Sequence, residues 1–383
     1  MKEALKRLLR PVRNAYYRGA PRLRRALLRR RDILLYVNNE AMTSHIWRYY
    51  ESVRAEAGYR FFLYAPETDM RLDADFQRRV KASPIRLCAH PARHAWSLIV
   101  CADLRTPASF TRDMCPLLYV NHGLHILSSD GGRTFYAYGP YARGEDGKPK
   151  FTRMLEPNLR IAEAMKAADP ELAAVITPVG YKFASGIETA LAQRDAFRAR
   201  LGVAPDVCLV GFFGTWREHS LFHALGEGLF PACEALRADG YQFLFSIHPK
   251  EYARYDEHVE PMGELVESQR RRGMLVRSPS EDFLPYLAAC DIVVSDYGSM
   301  AESAILLGRR LIFSPYPDGM VCRLSLTAEA RRALPALPSP AELPAVLSAV
   351  RASPLHPFIA AARDGLLLPD HDERVRRVTR ELV

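Results

Sequence analysis

The chain has 383 residues, 48% hydrophobic and 25% charged, with seven scattered cysteines and a formal net charge of +9. That length suits about two ordinary domains, and the composition excludes collagenous, low-complexity and disulfide-framework proteins. No Cys-x-x-Cys pair indicates zinc, and thiols such as Cys101, set behind Leu98-Ile99-Val100, read as reduced core residues.

The basicity is not spread evenly. Residues 1–31 hold twelve Lys/Arg against one acid, Glu3, a balance of +11 that leaves −2 for the rest of the chain. Leu5, Leu8, Leu9, Val12 and Tyr16 recur at helix-face spacing among these cations, Pro11 divides the segment, and Leu23, Ala26 and Leu27 continue it. A basic amphipathic stretch of this kind is expected to lie on an anionic membrane surface. Its plainer readings are a nucleic-acid arm or a merely solvated helix, and no nucleic-acid partner is expected. Cations interrupt every apolar run, so it does not read as a secretory signal. No run elsewhere approaches the ~20 residues of a spanning helix. The expected location is peripheral, on the cytoplasmic face of the cell membrane.

The body then alternates short apolar strands with helices. Asp32–Val37 reads as a strand ending at Asn38-Asn39, Met42–Ala57 as a helix with Ile46, Tyr49, Tyr50 and Val53 on one face, and Tyr59–Ala65 as a strand. Ser97–Cys101 and Leu117–Val120 are further strands, the latter ending in Asn121-His122-Gly123; Glu163–Ala168 and Asp169–Ala174 read as helical or turn-like, and Val175–Thr177 and Val179-Gly180 close the set. Ala184–Arg200 reads as a linker and first helix of a second domain. Val207–Phe213 is a strand, His219–Asp239 a long helix, Gln242–Ile247 a strand ending in His248-Pro249-Lys250, and Met274–Val276 a short strand. Asp282–Ala289 is helical. Asp291–Pro315 reads as strand, turn, helix and strand, with Ser299 three residues before Glu302 in capping-box spacing. Leu334–Pro344 reads as a loop and Glu373–Leu382 as a terminal helix.

This alternation predicts an α/β protein. It is expected to hold two Rossmann-like doubly wound domains facing a cleft, the GT-B architecture, preceded by the basic helical segment. The expected boundaries are 1–31 for the membrane segment, 32–185 for an acceptor domain and 186–383 for a nucleotide-donor domain carrying the C-terminal helices. A dinucleotide Gly-x-Gly-x-x-Gly and a P-loop are both absent from the sequence, which disfavours ordinary NAD enzymes and P-loop ATPases.

Four polar clusters sit at predicted strand ends: Asn121-His122-Gly123, Thr215-Trp216-Arg217, His248-Pro249-Lys250 and Ser295–Ser299. In open α/β sheets ligands bind at that edge, and a helix start there suits an anion. Each cluster has a plainer reading too: a strand-end histidine bonded to a loop, a surface Arg or Lys, a structural cap.

Taken together the clusters resemble the CDP-glycerol glycerophosphotransferase family of teichoic-acid primases and polymerases. The resemblance lies in Leu118-Tyr119-Val120-Asn121-His122-Gly123, Gly214-Thr215-Trp216-Arg217, Ile247-His248-Pro249, Ser295-Asp296-Tyr297-Gly298-Ser299, Val179-Gly180-Tyr181 and Asp372-Glu373-Arg374-Val375. It covers roughly Leu117–Val383. Asn121 stands where the family has an aromatic residue, Gly298 where it has the first Ser of a pair, Lys182 where it has Pro, and Asp372 where it has Ser.

The resemblance implies transfer of glycerol phosphate from CDP-glycerol to an acceptor hydroxyl. His122 would be the general base, a role that suits imidazole at neutral pH. Thr215, Arg217, His248, Lys250, Asp296, Ser299 and Met300 would bind the donor, with no metal and no cofactor. Arg217 offers a planar fork, Lys250 a point charge, and Ser299 a hydroxyl followed by backbone N–H groups. The implied partners are the CDP-linked donor, a lipid-linked or polymer acceptor and an anionic membrane surface.

Two other readings stand beside it. One is a nucleotide-sugar glycosyltransferase of capsule or lipopolysaccharide assembly on the same fold, with Glu302 suited to ribose or sugar. The other is a non-catalytic membrane-surface binding protein. Asp73-Ala74-Asp75 reads as a solvated face rather than a metal motif, and Asp370-His371-Asp372 as a loop and cap. His90, His94 and His125 show no ligand spacing, and His94 and Trp96 read as packing or surface. Glu40, Thr43 and Ser44 are candidates for the acceptor side, with Asn39 or Thr43 equally a helix cap.

Overall fold

A computed structural model describes residues 31–38, 42–66, 74–107, 110–112, 115–121, 142–181, 184–252, 259–278, 281–323, 325–364, 366–368 and 370–383. The basic segment before them, with its expected amphipathic helix, lies outside the described residues, as does His122. The chain divides into two compact units. The first takes the described residues up to 121, those from 142 to 181, and Leu368–Val383; the second takes 184–367.

The first unit is built on seven strands: β1 (Arg31–Tyr36), β2 (Tyr59–Tyr64), β3 (Arg86–Leu87), β4 (Leu98–Cys101), β5 (Leu117–Val120), β6 (Arg153–Glu156) and β7 (Ile176–Pro178). They run in the order β3-β2-β1-β4-β5-β6-β7, and every pairing is parallel. The second unit has β8 (Cys208–Phe213), β9 (Tyr241–Ser246), β10 (Leu275–Val276), β11 (Ile292–Ser295) and β12 (Arg310–Phe313), in the order β10-β9-β8-β11-β12 and again all parallel. Parallel strands are covered on both faces, so their sequences are apolar runs rather than alternations. β4, β5, β8 and β11 are buried at every position. In each sheet the order reverses beside the first strand, between β1 and β4 and between β8 and β11. Those are the points at which open α/β sheets bind ligands.

Helix Thr43–Val53 buries Ile46, Tyr49, Tyr50 and Val53, the face its 3.6-residue spacing predicts. Tyr50 meets Phe61 edge-on at 5.0 Å between ring centroids. The C-terminal helix, His371–Leu382, lies in the first unit rather than with the donor-type unit to which the 186–383 expectation assigned it. Its amphipathic face explains the choice. Val375 and Val378 enter the first unit's core, and Tyr49 Oη and Thr379 Oγ1 lie 3.0 Å apart. Asp372 accepts from Arg48 Nη2 at 2.9 Å and from Ser52 Oγ at 2.7 Å, and His371 Nδ1–H donates to the Val179 carbonyl at 3.0 Å. Asp370-His371-Asp372 is therefore a docking clasp more than a loop.

Several boundaries differ from expectation. β3 and β6 are strands that the sequence reading lacks, β3 because it is two residues long and β6 because Arg153 and Glu156 break its apolar run. The long helix at His219–Asp239 is divided into Leu221–Leu225 and Leu229–Leu236, since Gly226 takes a positive φ of 64° and ends the first piece. Ala184–Arg200 is two helices, Ala184–Ala192 and Arg194–Arg200. The second anchors its unit: Arg198, nearly fully buried, donates to Asp291 Oδ2 at 2.9 Å. His94 is not merely surface, because its Nε2 lies 2.9 Å from the buried Asp32 carboxylate, which Arg60 also grips. Trp96 is a core residue whose Nε1–H donates to the Pro91 carbonyl. Among the described residues no single helix is long and apolar enough to cross a membrane. None of the seven cysteines is in a disulfide.

Candidate functional site

The polar clusters of the second unit meet at the carboxyl ends of β8, β9 and β11, three neighbouring strands. Two buried carboxylates shape that edge. Asp296, fully buried after β11, accepts backbone N–H bonds from Gly298, Thr215 and Leu221, each at 2.8 Å. Burial raises its pKa to about 6, against the pull of those same N–H donors. Asp296 is thus a tie between the β8 and β11 loops; its carboxylate faces the protein's own backbone and not the donor it was expected to contact. Tyr297 Oη–H, on a buried ring, donates to the Trp216 carbonyl at 2.9 Å, and Ser295 Oγ–H donates to the Phe213 carbonyl at 2.8 Å.

Glu251 is the second carboxylate, fully buried after β9. Its Oε1 accepts from Arg217 N–H at 3.1 Å, and its Oε2 accepts from Met262 N–H at 3.2 Å and lies 3.0 Å from His223 Nε2. The bond to Arg217 has a particular object. Arg217 is the one non-glycine among the described residues with a positive φ, 89°. A side chain there costs of order 1–3 kcal/mol and persists only where its surroundings over-determine it. The Arg217 guanidinium comes to rest 4.4 Å from the Trp216 ring centroid, and Lys250 Nζ lies 3.7 Å from the same centroid. Two cations thereby share one half-buried indole while both remain exposed.

His248 stands beside them, its ring 6.0 Å from that of Trp216. Burial, with help from the Lys250 charge, lowers its pKa to about 4, so it is neutral at physiological pH. Its Nδ1 accepts from Lys250 N–H at 3.2 Å, which leaves the proton on Nε2. His248 is a neutral hydrogen-bond donor, well suited to an oxyanion and poorly suited to general-base work.

On the other side of β8, helix Ser299–Leu306 starts directly after β11. Its N-cap is Gly298, with no side-chain cap, so Ser299 is the first helical residue rather than the cap of a capping box. Glu302, the expected partner, is fully buried and accepts from Thr327 Oγ1–H at 2.9 Å. Ser299 and Met300 are half-buried at the helix start. A β-carbon on Gly298 would lie 3.0 Å from Asp296 Oδ1 and 3.2 Å from Thr215 Cβ. Thr215 crowds this position, and the crowding accounts for glycine where the resemblance expects serine.

The structure therefore brings Thr215, Arg217, His248, Lys250, Ser299 and Met300 to one sheet edge and sets Asp296 beneath them. Sequence reasoning missed Glu251 and His223. The available signal was Glu251's place directly after His248-Pro249-Lys250 at a strand end.

In the first unit Asn121, buried at the end of β5, directs Nδ2–H to Glu156 Oε2 at 3.4 Å, and Glu156 Oε1 accepts from Asn158 N–H at 2.9 Å. A small cavity at this edge is lined by His45, Tyr49, Asn121, Leu155, Gly180 and His371 among others. Met42, not Thr43, occupies the cap position of helix Thr43–Val53, and Thr43 is buried while Ser44 is exposed. His122, His125, Asn39, Glu40 and Asp73 lie outside the described residues. Among the described residues no three His, Cys, Asp or Glu side chains are grouped to hold a metal ion.

No family model matches the chain, and no curated protein is similar to it in sequence. Solved structures are similar in fold. A structure of the wall teichoic acid polymerase TagF soaked with CDPG superposes with a TM-score of 0.61 at 13% identity, covering 100% of this chain and 95% of that one. The S. aureus MnaA–UDP co-structure gives 0.57 at 9% identity, with 92% and 98% covered. A putative UDP-N-acetylglucosamine 2-epimerase from Listeria monocytogenes gives 0.57 at 14% identity, with 90% and 95% covered. Two parallel-sheet α/β units of the GT-B type, the fold of TagF, are the architecture of this chain.

Proposed function

We propose that the protein is a transferase that moves glycerol phosphate, or a related polyol phosphate, from a CDP-linked donor to an acceptor hydroxyl during cell-surface polymer synthesis. The observation that carries the reading is the group at the ends of β8 and β9: a neutral His248 with its proton on Nε2, beside an indole that Arg217 and Lys250 share. Phosphoryl transfer needs positioning and charge stabilisation more than covalent chemistry from the protein. Arg217 and Lys250 would offset the pyrophosphate charge, His248 Nε2–H and the Ser299 hydroxyl would donate to its oxygens, and the first N–H groups of helix Ser299–Leu306 would face the same anion. The acceptor oxygen would attack the β-phosphorus and give its proton to His122. The bond from that phosphorus to the bridging oxygen would break, and CMP would leave. The basic segment at 1–31 would hold the enzyme on the cytoplasmic face of an anionic membrane, where a lipid-linked or polymer acceptor lies.

A nucleotide-sugar transferase is the second reading, favoured by the UDP-bound neighbour of the same fold. Incubation of the purified protein with CDP-glycerol, CDP-ribitol and UDP- or CMP-sugars, with nucleotide release as the readout, separates the two. Release of CMP from CDP-glycerol or CDP-ribitol alone is expected. Release from a nucleotide sugar instead overturns the CDP-polyol reading, and binding without any turnover indicates a protein that keeps the fold as a binding module.

A further inference from the structure

We infer that the first unit carries a binding site for a neutral sugar ring, made by Asn38, Asp103 and Tyr64 where the order of its sheet reverses. This rests on the transferase reading and names the class of acceptor terminus that the reading leaves open.

The strand ends collect the group. Tyr36 and Tyr64 end β1 and β2 in register, and Cys101 ends β4 opposite Tyr36. The β1–β2 ladder runs one bond further, from Val37 N–H to the Tyr64 carbonyl at 3.1 Å. Side chains alternate between the two faces of a sheet. Asn38 and Asp103, each two residues beyond a strand end, therefore fall on the face of Tyr36 and Tyr64. The contacts agree: Asn38 Nδ2–H donates to Asp103 Oδ2 at 2.6 Å, from the β1 end to the β4 end. Tyr36 and Tyr64 stack with ring centroids 5.9 Å apart, and Phe110 meets both edge-on, at 5.4 and 6.5 Å. Tyr36 and Phe110 are buried, whereas Tyr64, Asn38 and Asp103 are half-buried. An aromatic base with a few polar groups at its rim thus stands at the point of an open sheet where ligands bind.

The rim selects the ligand. A carboxylate offers about four acceptor sites and no donor. Asp103 uses one on Asn38 and one on Arg105 N–H, at 2.8 Å from Oδ1. What remains suits hydroxyl donors and repels a phosphate diester. Lys150, a cation in range of Asp103, directs Nζ–H to the Leu104 carbonyl at 2.8 Å, which turns it toward the backbone. The Tyr64 hydroxyl can give or receive one more bond. A flexible polyol has hydroxyls but no face to lay against Tyr64. A pyranose has both, a surface of C–H groups for the ring and neighbouring hydroxyls for the carboxylate. The site also lies next to the strand that leads to the proposed base: β5 pairs with β4, Tyr119 opposite Cys101, and His122 follows Asn121 in the chain.

The test uses the full chain. Its probes are a panel of methyl hexopyranosides and methyl N-acetylhexosaminides, with glycerol and glycerol 3-phosphate for comparison. Saturation-transfer NMR without donor reads the site by itself. At least one pyranoside should bind, roughly tenfold more tightly than glycerol 3-phosphate. Asp103→Asn, which keeps the shape, and Tyr64→Ala should each weaken it by about fivefold or more. Tyr64→Phe, which keeps the face, should cost less than about threefold. Unchanged circular dichroism is the control for folding. The same pyranoside should accelerate CMP release from CDP-glycerol, with Asp103→Asn raising its KM and leaving kcat within about twofold. Pyranoside binding that depends on Asp103 and Tyr64 in a chain that releases no CMP would keep the sugar site and remove the donor reading. No pyranoside binding, equal binding by the parent and Asp103→Asn, or a preference for glycerol 3-phosphate would overturn the sugar site, and CMP release to another acceptor would leave the transferase reading in place.

Discussion

The two units fix the loops and helices at their strand-end edges by different means. In the second unit the site loops are tied by carboxylates buried next to them in the fold: Asp296 takes three backbone N–H groups and Glu251 takes two and faces His223. In the first unit the corresponding edge is closed by a helix from the far end of the chain, through His371 on Val179 and Asp372 on Arg48 and Ser52. A buried carboxylate surrounded by N–H donors fixes a loop locally and at high stakes, because losing one partner strands the others in a medium without water. A partly exposed clasp on a helix adds less and can be removed with less damage. The donor side is therefore expected to be the more sensitive of the two to single substitutions that do not touch the chemistry.

The largest expected effect lies outside that contrast and calibrates it. His122→Ala should depress turnover by about 10²–10⁴-fold with donor affinity little changed, the range for loss of a general base. Near-normal turnover in a folded variant would remove His122 from that role.

Next is Asp296, whose folded pKa of about 6 stands above the ordinary 3.8. The native state holds this proton more tightly than the unfolded chain does. The stability it contributes is fully present below about pH 4 and is lost as pH rises through about 6. At about 1.4 kcal/mol per unit, roughly 3 kcal/mol is at stake. Asp296→Asn removes the titration, so urea midpoints at pH 4 to 7 should fall less with rising pH in the variant than in the parent. Parallel pH dependences would show a carboxylate ionised throughout.

Glu251 sharpens the contrast, because its expected effect runs through Arg217. Glu251→Gln should weaken donor binding about tenfold, equal to about 1.4 kcal/mol. In an Arg217→Gly background, where a left-handed φ carries no side-chain cost, the same change should weaken binding by less than about threefold. Equal losses in both backgrounds would mean that Glu251 does not position Arg217. On the first unit, Asp372→Ala should cost about 1 kcal/mol of stability by chemical denaturation and leave donor affinity unchanged. A loss much larger than the Asp296 pH effect would reverse the comparison.

Much of this was legible in the residues. The apolar runs at Val207–Phe213 and Asp291–Val294 could only be buried strands, and the polar clusters directly after them had to lie at the sheet edge. Helix Thr43–Val53 declared its buried face by spacing alone. What was not legible depends on contacts distant in sequence. Ser299 and Glu302 have the spacing of a capping box, yet Glu302 turns inward to Thr327, a partner that local spacing cannot reveal. Asp296 looked like a ligand because it sits at a strand end; its three backbone donors come from two loops about eighty residues apart in sequence. The C-terminal helix was placed by chain order in the second domain, but its valines belong to the core of the first. β3, two residues long, is too short to carry an alternation, and only its pairing with Phe62 and Leu63 of β2 makes it a strand.

Calorimetric titration of CDP-glycerol into the parent and into His248→Ala bears most directly on the donor assignment, since His248 is proposed to touch the pyrophosphate as a neutral donor. CDP-glycerol should bind more tightly than UDP-linked sugars. Loss of the imidazole should weaken it by about tenfold or more, the effect of one hydrogen bond to a charged group. Affinity in the parent should stay flat from pH 6 to 8, because His248 titrates near pH 4. Unchanged affinity in the variant, or tighter binding of a UDP-linked sugar by the parent, would contradict the assignment.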